Sequence, residues 1–297
     1  MLDKQLLNKY AQLLVDYCVN VKKNEQIAIQ GGIAAAPLIE KIYIEVLKRG
    51  AFPFNRITLN NQSELFFKYA QDQHLTMLPK LPLLEAKEFD ATIILYSETN
   101  TKSLSNIEPT KQSQFRKTYK PVSDIRLKKD RWVLALYPTE AYSQDAEMSL
   151  SEFEDFVVNA VKINKPNPIK EWQALERYQQ KIVDKLKNAD IVRIVGKETD
   201  LTLSVKNRKF INSCGKSNMP SGEVFTGPLE NSANGKIYFE FPVCTSGNEI
   251  SGIRLEFKDG KVIKASAEKN ENYLLKILET DKGARYLGEF AIGLNYS

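Results

Sequence analysis

Helices alternating with short apolar strands in the first half of the chain, then closely spaced strands in the second, predict an α/β domain followed by an α+β domain. The near-continuous apolar run at residues 91–96 adds that the first sheet is mainly parallel and covered on both faces. Pro166 and Pro168 break either regular pattern and mark the change of character, dividing the chain into residues 1–165 and 166–297.

Leu6, Leu7, Tyr10, Leu13, Leu14 and Tyr17 recur at three- and four-residue spacing, so the chain opens on an amphipathic helix. Residues 26–30 form a short strand that closes at Gly31-Gly32, where a strand-to-helix turn is expected because glycine tolerates backbone angles that other residues avoid. The next helix spans 37–49, with Pro37 in its first turn and Gly50 at its end. A strand at 54–59, a helix at 64–73, the strand at 91–96, a polar helical stretch, a strand at 132–137 and a helix at 150–161 complete the first half. Beyond the prolines comes a helix at 172–186. Strands then follow at 191–195, 200–205, 209–211, 236–243, 251–258 and 261–265, with a helix at 271–278. Asp259-Gly260 lies between the last two strands and signals a tight hairpin.

Composition narrows the function. Hydrophobic residues at 42% and charged residues at 27% are those of an ordinary globular protein, and no apolar run is long enough to span a bilayer. Lysine and arginine number 42 against 37 acids, a surplus too small to create a field for nucleic acid. The densest basic stretch, Arg126 to Arg131, reads as a solvated strand entry. The polar start lacks the order of a signal peptide, and three scattered cysteines, Cys18, Cys214 and Cys244, suit a reducing compartment; a cytoplasmic protein is expected.

His74 is the sole histidine, so no Ser-His-Asp, Cys-His or histidine-rich zinc arrangement can be assembled within the chain. Gly31-Gly32 precedes a helix, as phosphate loops do, yet the Walker lysine and the three-glycine dinucleotide spacing are both missing. Two other loops carry more. Glu223 follows Gly222 in a stretch bracketed by glycine and proline, and Glu289 follows Gly288, 66 residues further on. Each alone is an ordinary turn with an exposed glutamate. Together they can bring two hard oxygen ligands to one divalent ion or an ion pair.

The segments Asn218-Met219-Pro220-Ser221-Gly222-Glu223-Val224-Phe225-Thr226 and Gly283-Ala284-Arg285-Tyr286-Leu287-Gly288-Glu289 resemble the two glutamate-bearing motifs of the thermophilic metallo-aminopeptidase family, the aminopeptidase T and S type. The resemblance implies an enzyme that removes the first residue of peptides with a free amino terminus, and a homodimer. It also implies two divalent metal ions (zinc, cobalt, manganese or magnesium), held by two glutamates, two histidines, an aspartate and a nearby tyrosine. Glu223 and Glu289 stand for the two glutamates. The other ligands are expected after the second of these, and the chain ends eight residues later at Ser297. The expectation is therefore a catalytic domain truncated at its C-terminus, with an incomplete metal site, no assignable catalytic residue and no activity of its own. The alternatives are a non-catalytic peptide- or protein-binding descendant of the same fold, and a small-ligand protein that uses Gly31-Gly32.

Overall fold

The computed structural model describes residues 2–245 and 248–297. Two compact units make up the chain: Met1–Leu175 with Cys214–Ser221 and Asn295–Ser297, and Glu176–Ser213 with Gly222–Leu294. Among the described residues, no helix is long and apolar enough to cross a membrane.

The first unit begins with α1 (Lys4–Gln12), whose N-terminus is capped by the Asp3 carboxylate accepting from Leu6 N at 2.8 Å. The helix expected to reach residue 17 changes after Gln12 into a π-helical turn, Leu13–Cys18. The i→i+5 turn is broader, and Leu13, Leu14, Val15, Tyr17 and Cys18 are all buried, more than a single helical stripe can hide. Next come β1 (Gln26–Gly32), α2 (Ala36–Lys48) and β2 (Phe52–Thr58). The helix expected at 64–73 is two, α3 (Gln62–Tyr69) and α4 (Asp72–Thr76), because Ala70 and Gln71 turn extended. A further helix, α5 (Lys80–Glu88), carries no buried stripe and so left no periodic signal. Then follow β3 (Ala91–Tyr96), α6 (Pro109–Lys129), β4 (Trp132–Leu136), α7 (Glu140–Asp145), α8 (Leu150–Val161) and α9 (Pro168–Leu186).

The strands pair in parallel in the order β2-β1-β3-β4, and Asn218–Met219, far along the chain, adds a fifth beside β4. One face carries Ile27, Ile29, Ile93 and Val133, all fully buried in the main core with Leu13, Leu38 and Val157. The opposite face carries Ala28, Gln30, Thr92 and Ile94, which share registers with Phe54 and Arg56 of β2. Phe54 packs on Phe89 and Arg56 pairs with Glu85, so this face lies under α5 and the turn after it.

The Gly31-Gly32 turn needs correction. Both glycines belong to β1, opposite Ile57 and Thr58, and Gly32 has an ordinary extended backbone with φ −72° and ψ 156°. They are small because neighbours are close. A Cβ on Gly31 would sit 3.0 Å from Leu95 Cβ, and one on Gly32 2.9 Å from Ser97 Oγ.

Helix α9 starts in the first unit and ends in the second. Along the rest of the chain lie β5 (Ile191–Gly196), β6 (Thr199–Ser204), β7 (Ile211–Ser213), β8 (the Asn218–Met219 strand), β9 (Glu223–Thr226) and β10 (Asn234–Phe239). They are followed by β11 (Val243–Thr245), β12 (Asn248–Ile250), β13 (Ile253–Lys258), β14 (Lys261–Ser266), α10 (Glu271–Ile277) and β15 (Phe290–Gly293). One antiparallel sheet has the order β14-β13-β10-β6-β5 and a second β15-β9-β7. Asp259 and Gly260 turn the β13–β14 hairpin with φ of 49° and 82°, the left-handed pair that such a turn demands. The mainly parallel first sheet and the strand-rich second half are those expected from the sequence.

Candidate metal centre

Glu223 opens β9, and Glu289 immediately precedes β15, its pairing partner. What the sequence presents as a loop around Glu223 is therefore a strand, four residues long and too short to show alternation between glycine and proline. Its start is held from several sides. Gly222 adopts φ 118°, which only glycine takes without strain; its N–H donates to Ser213 O and its carbonyl accepts from Leu294 N at 2.7 Å. Gln179, on α9 and wholly buried, shares its two Nε2 hydrogens among Asn212 Oδ1, Ser213 O and the Glu223 carbonyl, at 2.7, 3.0 and 3.1 Å. One amide thus ties the backbone of β7 to that of β9. Gln179 is the positioning residue that the sequence hides, because its partners lie 33 to 44 residues away.

The register sets Gly293 opposite Glu223 and Ala291 opposite Phe225. Side chains alternate along strands, so Glu223, Phe225 and Ala291 share a face, and Glu289 stands just before the first residue of β15. A Cβ built on Gly293 or Gly288 meets nothing within 4 Å, so the space beside both glutamates is open. Nothing in the structure explains a glycine at 288. Burial first, and then the negative charge of Glu289, hold the half-buried Glu223 carboxyl above its ordinary range. The charge of Glu289 thus reaches the Glu223 carboxyl and adds to the effect of burial.

Two like-charged carboxylates suit a hard divalent ion. Among the described residues, however, no three His, Cys, Asp or Glu side chains group so as to hold a metal. His74 belongs to the first unit, where its Nδ1 accepts from Gln71 N at 3.0 Å and closes a capping box on α4. Catalytic metal sites take about three protein ligands and an open position. The residues gathered here fit only part of such a site.

The fold is that of a two-unit α/β protein, a mainly parallel sheet in one unit and antiparallel sheets in the other. The chain matches the thermophilic metalloprotease (M29) family over residues 3–297 and belongs to it. It is 27% identical over 315 residues to Aminopeptidase 2 of Geobacillus stearothermophilus, covering 96% of this chain and 76% of that protein. Wild-type AmpT from Thermus thermophilus has the same fold, with a TM-score of 0.84 and 22% identity over 98% of this chain and 78% of that one. A more distant fold likeness, TM-score 0.57 at 12% identity over 99% of this chain and 77% of that one, is to 2,5-dihydroxypyridine dioxygenase from Pseudomonas putida KT2440.

Proposed function

We propose that this chain serves a metal-dependent aminopeptidase that hydrolyses the first peptide bond of peptides with a free amino terminus. Residues 166–297 would be its metal-bearing half, with Glu223 and Glu289 as ligands. Membership of the metalloprotease family and the activity in the name of Aminopeptidase 2 support this reading. The observation that carries it is the carboxylate pair itself, two like charges from distant motifs, one opening β9 and the other just before its partner β15, with the Glu223 carboxyl raised by burial and by Glu289. A bound divalent ion supplies polarisation of the scissile carbonyl and a water of lowered pKa. The chain's own residues present two anionic oxygens, and Gln179 fixes the strand that carries one of them.

By resemblance, the reading extends to two ions (zinc, cobalt, manganese or magnesium), a homodimer and a cytoplasmic setting. One histidine cannot supply the two imidazoles of the family's ligand set. Residues 1–297 by themselves are therefore expected to bind a divalent ion weakly and to turn over no substrate. A second reading is a non-catalytic peptide- or protein-binding descendant of the same fold.

Calorimetric titration with manganese and zinc, beside an assay on a leucyl chromogenic substrate, separates the two. Metal binding that falls at least about tenfold in Glu223→Gln and in Glu289→Gln is the expected result. Turnover that disappears in Glu223→Gln would keep the ligand role and overturn the expected inactivity. Metal binding indifferent to both substitutions would remove the ligand assignment, and peptide binding without metal would then establish the second reading.

A further inference from the structure

Between the sheet face that carries Gln30 and Thr92 and the helices α5 and α6 lies a cavity of about 180 Å³ in the first unit. It is chemically unlike a packing gap. Arg126 of α6 lines it, half-buried, and makes no hydrogen bond or ion pair with any described residue. Burial alone lowers its pKa, with no neighbouring carboxylate acting to restore it. Arginines removed from water ordinarily find an acid, because an unpaired buried charge is expensive.

The other charges around the cavity are already engaged. Arg131 pairs with Glu25, Glu85 pairs with Arg56, and Asp90 accepts from Gln26 N at 2.8 Å. Lys129 donates to the Lys87 and Phe89 carbonyls, which closes the C-terminal end of α5. With the pairing partners included, four cations face three anions, leaving one positive charge over. Three polar groups on the lining, the Gln30 amide, the Thr92 hydroxyl and the Tyr119 hydroxyl, also have no side-chain hydrogen bond among the described residues. The rest of the lining is apolar, including Pro82, Ala86, Phe89, Ala91 and Val122.

We infer that this cavity binds a small carboxylate with an apolar body, its anion on Arg126 and its hydrocarbon against Phe89 and Val122. One uncompensated guanidinium matches a single negative charge, and its planar donors match a carboxylate. A phosphate dianion would remain half neutralised and would press its oxygens on apolar walls. The inference is independent of the proposed peptidase activity: no residue of the glutamate pair lines the cavity.

Two sources share this chemistry, simple organic acids and free amino acids, and the test separates them. The full 297-residue protein is titrated with 4-methylpentanoate, L-leucine and inorganic phosphate, followed by calorimetry and thermal shift. Saturable binding of 4-methylpentanoate is expected, at least about tenfold weaker in Arg126→Gln, partly recovered in Arg126→Lys and unchanged in Arg116→Gln, an exposed position on the same helix. Leucine binding as tightly as the amine-free acid identifies the amino-acid source; leucine binding much more weakly identifies a simple acid. Should Arg126→Gln fail to fold, Ala86→Met, which fills the cavity from α5, must abolish binding. The inference is overturned by no saturation up to about 10 mM with either carboxylate, by phosphate binding as strongly as 4-methylpentanoate, or by a folded Arg126→Gln or Ala86→Met protein that binds like the wild type.

Discussion

Glu223 is a residue whose charge costs the fold something. Its carboxyl is raised, by burial first and by Glu289 second, so the folded-state pKa lies above the unfolded value of ~4.3. A raised carboxylate contributes stability below its unfolded pKa and loses it as pH rises through the folded one. At neutral pH without metal the ionised side chain is therefore a liability. Replacing Glu223 with Gln should raise Tm by about 1–2 °C at pH 7, because solvent screening of a partly exposed charge holds the gain to ~0.5 kcal/mol. The gain should vanish below the carboxylate range, where the wild-type side chain is neutral, and manganese should stabilise the wild type more than the variant. Thermal scans across pH with and without metal check this; a variant less stable at pH 7 would mean that Glu223 has a favourable partner. The glutamate pair was legible in the sequence because both members stand in local Gly-Glu motifs. Gln179 and Arg126 were not, since each matters through groups brought together only by the fold.

At the scale of the element, periodicity conveys burial of one face and little else. Apolar runs and Gly/Pro punctuation therefore had to supplement it for α2 and β3, and α5, which has no buried residue, was missed. Gly31-Gly32 was also misassigned. Glycine in a turn and glycine under a close neighbour look alike in sequence, and only the distance to Leu95 and Ser97 distinguishes them. The two origins predict opposite outcomes. Gly32 has no left-handed backbone, so a turn glycine there would accept alanine at little cost, whereas the packed one cannot. Gly31→Ala and Gly32→Ala should each lose about 1–3 kcal/mol through overpacking. Gly196→Ala, at the exposed end of β5 with only Thr199 Cβ 3.9 Å away, should change stability by less than ~1 kcal/mol. Urea unfolding of the three variants checks the contrast, and equal effects would remove the packing explanation.

For the whole molecule, the two prolines at 166 and 168 mark a change of sequence pattern, whereas the first compact unit runs on to Leu175 and takes in a segment that returns. Cys214–Ser221 lies deep in the second half of the chain and belongs to the first unit. Leu134 and Ala135 of β4 register with Asn218 and Met219, and Leu134 N donates to Ser217 O at 2.8 Å. Tyr17 Oη donates to Cys214 O at 2.8 Å, Asn295 Nδ2 donates to Ser221 O at 3.0 Å, and Met219 is 1% exposed within the main core. A two-residue strand has no periodicity to read, so its destination is set entirely by these distant partners. Opening of a protein region proceeds in cooperative units, each with its own free energy, and amide exchange follows the unit rather than the position in sequence. Residues 214–221 should therefore exchange with β1 and β3, slowly, while the flanking β7 and β9 exchange with the second unit. Tyr17→Phe should raise the exchange of this segment by about fivefold, the loss of one buried hydrogen bond of ~1 kcal/mol. Hydrogen exchange with mass spectrometry resolves peptides of this length. If 214–221 exchanges in step with 211–213 and 223–226, and Tyr17→Phe leaves it unchanged, the segment is not part of the first cooperative unit.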